Sequence, residues 1–135
     1  MAAKQAQSHE TILVVDDEPG VRRACARMLT TAGFDVLAAE SGQEALELCE
    51  QHPEDIDLAL IDVVMPGMSG RDLAERMRER WRSVKIVFMS GYVASEIGEL
   101  GVMQRDAHFL GKPFSSEVLR QKVRDVLDGT ASAGR

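Results

Sequence analysis

The 135 residues are 44% hydrophobic and 28% charged, the proportions of one globular domain with room for a core but none for a second. A formal net charge of −6 opposes general affinity for nucleic-acid phosphates, and no apolar run reaches the roughly 18 residues that spanning a membrane requires. Cys25 and Cys49 sit among apolar residues at helical spacing, and "MAAKQAQSHE" lacks the apolar core of an export signal. The expectation is buried free thiols in a reducing, cytoplasmic setting, without insertion into a membrane.

Along the chain, "TILVV" (11–15) is a continuous β-prone run. "GVRRACARMLTTAG" then places Val21, Ala24, Cys25, Met28 and Leu29 on one helical face and stops at Gly33, where a C-cap glycine belongs. "FDVLAA" (34–39) reads as a second strand. "SGQEALELCEQHP" opens with a capping box of Ser41 and Glu44, turns Ala45, Leu46 and Cys49 inward, and halts before Pro53. "IDLALID" (56–62) is a third strand, followed by "SGRDLAERMRERW", a helix with Leu73, Met77 and Trp81 four apart. "VKIVFM" (84–89) and "HFL" (108–110) are further strands, and "SSEVLRQKVRDVLD" is a helix with Val118, Leu119, Val123, Val126 and Leu127 inward. Between residues 94 and 105, Gly98 and Gly101 would each cost about 1 kcal/mol in a helix interior, so that segment is expected to be short or mobile. Residues 1–10 and 130–135 read as flexible tails around one domain over 11–129.

Strands alternating with helices imply an α/β doubly wound fold, since parallel strands need helical crossovers. In such sheets ligands bind where the strands end at their carboxyl side. The residues there are Asp16 and Asp17 after strand one, Asp62 at the end of strand three, Ser90 with Gly91 after strand four, and Lys112 before Pro113 after strand five. Singly, each has an ordinary explanation: a helix cap for Asp16 to Glu18, a turn for Asp62, a solvated loop for Lys112. Together they define a site. Carboxylates about 5 Å apart repel by about 3 kcal/mol at an effective dielectric of 20, so converging acids call for a cation. Oxygen-only ligands point to Mg2+.

"ILVVDDEPGVRR", "LALIDVVMPGMSG", "IVFMSGY" and "FLGKPF", in this order, resemble the signature blocks of receiver domains of two-component response regulators, over residues 11–128. The last two blocks are similar to receivers fused behind hybrid histidine kinases. The resemblance implies a flavodoxin-like (βα)5 fold with strand order 2-1-3-4-5. It implies that Asp62 accepts a phosphoryl group from a histidine kinase or histidine phosphotransfer protein. Asp17 would bind Mg2+ directly, Asp16 through water, and Val64 through its carbonyl. Lys112, preceding a cis proline, would pair with the phosphoryl oxygens, while Ser90 and Phe109 would be the switching hydroxyl and aromatic. Val64, Gly91 and Tyr92 would border the approach to the phosphorus. Phe109 departs from the tyrosine common at its position, so a rotated ring could offer no hydroxyl.

Signal output would then pass to a downstream protein, with a partner surface on the first helix (Arg22, Arg23, Arg27) and the 109–114 loop. The alternative is a Mg2+-dependent phosphohydrolase with an aspartyl nucleophile, but its haloacid dehalogenase pattern wants Asp-x-Asp after strand one, whereas these acids are adjacent. No glycine-rich nucleotide loop follows a strand. His9, His52 and His108 read as incidental.

Overall fold

The computed structural model describes residues 10–91 and 108–129. Its elements are β1 (Thr11–Val15), α1 (Pro19–Thr31), β2 (Asp35–Ala39), α2 (Gly42–Gln51), β3 (Ile56–Asp62), α3 (Gly70–Arg80), β4 (Lys85–Ser90), β5 (His108–Gly111) and α4 (Ser116–Asp128). The strands form one five-stranded sheet in the order β2-β1-β3-β4-β5, every pairing parallel. This is the flavodoxin-like order implied by the resemblance. The 94–105 segment, Tyr92, His9 and most of both tails lie outside the described residues. No helix among the described residues is long and apolar enough to cross a membrane.

Side-chain alternation along the central strands divides the core into two halves. Leu13, Val15, Ala59 and Ile61 face α2 and α3, meeting Ala45, Cys49, Leu73, Ala74 and Met77. Ile12, Val14, Leu58 and Leu60 face α1 and α4, meeting Cys25, Leu29, Leu119, Val123 and Val126. Both faces of β1 and β3 are therefore covered, which explains why these strands read as unbroken apolar runs. β2, at the sheet edge, begins with an exposed Asp35 and is less buried.

Local chemistry fixes the helix ends. Phe34 donates its N–H to the Leu29 carbonyl at 3.1 Å and Gly33 to that of Thr30 at 3.0 Å. Gly33 takes φ +103°, so α1 closes in a Schellman motif. Phe34, read from the sequence as the start of strand two, belongs to this motif and packs into the core beside Leu29. Ser41 accepts from the Glu44 N–H, but the Glu44 carboxylate reaches back to Glu40 N–H at 2.8 Å, one residue before the cap. Both cysteines are buried free thiols, with burial the main cause that pushes each up to about 11.

Two assignments to the inward faces need correction. Ala24 is exposed, and Val118 is 49% exposed. Each stands one position before the residue that carries the contact, Cys25 and Leu119, and one helical step turns a side chain about 100° away. Leu119→Ala should accordingly cost about 2–5 kcal/mol of stability, whereas Val118→Ala should stay within about 0.5 kcal/mol of the parent. Urea denaturation of both variants checks the assignment.

Candidate functional site

The acids expected at the carboxyl edge of the sheet do meet there. Ligand oxygens of Asp16, Asp17 and Asp62 lie within 4.8 Å of one another. Asp16 is wholly buried and Asp17 exposed, while Asp62 ends β3 and is also buried. Lys112 Nζ stands 3.0 Å from Asp16 Oδ2 and 3.3 Å from Asp62 Oδ1. Its backbone N–H donates to the Ser90 carbonyl at 2.8 Å, which aligns the β5 loop with the end of β4. The Lys112–Pro113 peptide is cis.

Electrostatics at the site are asymmetric. Burial, then the Asp16 charge, pushes the Asp62 carboxyl up to about 6 from 3.8; Lys112 opposes the shift and Asp17 adds to it. Burial alone would lower the Lys112 pKa, but its bonds to Asp16 and Asp62 and their charges raise it. The lysine gains from two acids, whereas Asp62 shares that one cation with a second buried acid. If all three carboxylates ionise, the lysine leaves two negative charges uncompensated. An all-oxygen donor set with that deficit fits a hard divalent cation.

The flanking residues are placed by the same strand ends. Ser90 is buried at the end of β4 and Gly91 is exposed beside it. Val64, just beyond Asp62, is 59% exposed. Phe109 pairs with Phe88 in register and stacks on its ring, centroids 5.9 Å apart. His108 begins β5, and His52 follows α2 near Thr11 and Asp57, so both are at the amino end of the sheet, opposite the acids.

Two further residues shape the site, neither of them among the site residues expected from the sequence. Gly70 opens α3 against β3: its N–H donates to the Val63 carbonyl at 2.9 Å, and an added Cβ would lie 2.2 Å from the Asp62 carbonyl oxygen. Only a tertiary approach creates that requirement, and no local pattern announces it. Arg22, read as a partner contact, donates from Nη1 to the Asp16 carbonyl at 2.7 Å.

With this geometry in view, comparison with known proteins identifies the family. The model described as response regulator receiver domain matches residues 12–124, and the chain belongs to that family of two-component signalling domains. It is 34% identical over 116 residues to the response regulator receiver protein CpdR of Brucella abortus, covering 86% of this chain and 95% of that one. It is 36% identical over 118 residues to the sensor kinase CckA of the same organism, covering 87% of this chain. That match spans only 12% of the kinase. Among solved structures, the receiver domain of the hybrid histidine kinase CckA superposes with a TM-score of 0.73 at 35% identity, covering 87% of this chain and 98% of that one. Chemotaxis protein CheY4 of Vibrio cholerae gives 0.77 at 28% identity, with coverage of 87% and 98%. Receiver domains typically bind Mg2+ and interact with histidine kinases or phosphotransfer proteins.

Because the folded chain holds the Asp62 proton more tightly than the unfolded chain, native stability falls as pH rises from 3.8 to about 6 and stays lower above that. Asp62→Asn should therefore raise the Tm of chelator-treated protein above pH 6, with a gain that shrinks as pH approaches 3.8. Melting curves across that window check the sign.

Gly70→Ala should lower the Tm, although helix propensity alone favours alanine by about 1 kcal/mol. The clash is with backbone, which cannot swing aside. A Tm equal to or above the parent would refute the close-approach argument.

Proposed function

We propose that Asp62 takes a phosphoryl group from a phosphohistidine on a histidine kinase or histidine phosphotransfer protein in the cytoplasm, and that the acyl phosphate changes the surface read by a downstream protein. The observation that carries this reading is the carboxylate of Asp62 at a strand end, 3.3 Å from the Lys112 ammonium and within 4.8 Å of two further acids. An Asp62 oxygen attacks phosphorus in line as the phosphorus–nitrogen bond breaks, and its electron pair returns to the imidazole, which takes up a proton. A carboxylate needs no general base for this step. Lys112 neutralises charge developing on the equatorial oxygens. Asp16, Asp17, Asp62 and the Val64 carbonyl would hold Mg2+, which supplies further neutralisation of that charge when bound.

After transfer, the Ser90 hydroxyl donates to a phosphoryl oxygen and draws its loop inward, and Phe109 leaves its place on Phe88 to follow. Such a two-state element is biased by a group that makes different contacts in each state. Hydrolysis restores the carboxylate when water attacks phosphorus and phosphate departs. Val64 offers neither acid nor amide to orient that water, so decay is slow.

Incubation with acetyl phosphate and Mg2+ should add one labile phosphoryl group to the chain by intact-mass measurement. Asp62→Asn or excess chelator should abolish the gain, while Mg2+ should raise the Tm of the parent through selective binding to the folded state. Labelling of the Asp62→Asn variant at the parent's level would move the acceptor elsewhere.

A further inference from the structure

The turn from β1 into α1 carries two of the site's three acids, yet its helix cap contributes little. Glu18 occupies the N-cap position without a side-chain hydrogen bond to the helix, and the first turn of α1 holds no acidic residue. The turn is held instead by Asp16, whose Oδ1 accepts from the Glu18 N–H at 2.9 Å, and by Arg22, whose Nη1 donates to the Asp16 carbonyl at 2.7 Å. That carbonyl belongs to the peptide joining Asp16 to Asp17.

The position of this arginine is unfavourable by helix electrostatics alone. Arg22 stands four residues after the N-cap, close to the positive end of the helix dipole, where cations are disfavoured. Its side chain nevertheless turns back over the N-terminal turn, the direction helical side chains take, and ends on the backbone oxygen of the peptide that leads into Asp17. Asp17 itself is exposed, so burial does little to hold its carboxylate on target.

We propose that Arg22 is a positioning residue of the cation site: it clamps the Asp16–Asp17 peptide so that the Asp17 carboxylate converges with Asp16 and Asp62. This rests on the reading of the three acids as a Mg2+ site. The sign of the effect separates positioning from plain charge. Removing a positive group from the turn that carries two of the acids should strengthen Mg2+ binding by Coulomb's law, whereas losing a positioning group should weaken it.

Calorimetric titration with Mg2+ at fixed ionic strength tests the proposal on the parent, Arg22→Ala, Arg22→Lys and, as a remote charge control, Arg76→Ala on the exposed face of α3. Arg22→Ala should weaken binding by about tenfold. Arg22→Lys, with one flexible donor, should lose less, and Arg76→Ala should match the parent. In acetyl phosphate labelling, Arg22→Ala should need more Mg2+ for half-saturation while the rate at saturating Mg2+ stays close to the parent's. Should alanine fail to fold, Arg22→Met retains the apolar stem without donor or charge and decides alone. Parent-like or tighter Mg2+ binding by the folded alanine or methionine variant would overturn the positioning role and leave the cation site standing. A parent that binds no Mg2+ would overturn both.

Discussion

The structure is organised around one buried carboxylate. Asp16 is fully removed from solvent, a placement that costs several kcal/mol unless its polar atoms are bonded. They are: its N–H donates to Ala39, its carbonyl accepts from Arg22, and its two carboxylate oxygens accept from Glu18 and Lys112. Those partners come from the end of β2, from α1, from the β1–α1 turn and from the loop after β5. Satisfying one acid thus ties together segments up to 96 positions apart in the chain, and the remaining acids are arranged about it.

The order of dependence is visible in the charges. Lys112 offsets part of the repulsion at Asp62, but burial and the Asp16 charge still push that carboxyl up to about 6. The stacking of Phe109 on Phe88 holds β5 to β4 beside the site: such ring pairs contribute about 0.5–1.5 kcal/mol beyond their buried area.

Much of this could be read from the chain before the structure. β1 and β3 were bounded to the residue because both faces are buried and their apolar runs end abruptly in acids. Ala24 and Val118 were misplaced because periodicity locates a stripe less finely than packing does. Phe34 looked like strand because it is aromatic and apolar, while its hydrogen bond belongs to the helix behind it. The strand order came from family resemblance, since alternation reveals that strands are parallel but not which are neighbours. The part Gly70 and Arg22 play at the site is illegible in the chain for a common reason. One matters through a backbone approach across the β3–α3 loop and the other through a side chain reaching six residues back, and neither leaves a periodic trace.

At the opposite edge of the sheet, Glu10 gives its carbonyl to Asp35 N–H and its carboxylate to Arg124, whose guanidinium lies over the Phe34 ring. The start of β1 and the last turns of α4 are therefore fastened side by side, a strand's length from the acids. The described chain thus enters the sheet and ends its last helix at the same far rim, like two cords gathered at a handle, and the reactive rim is clear of both ends.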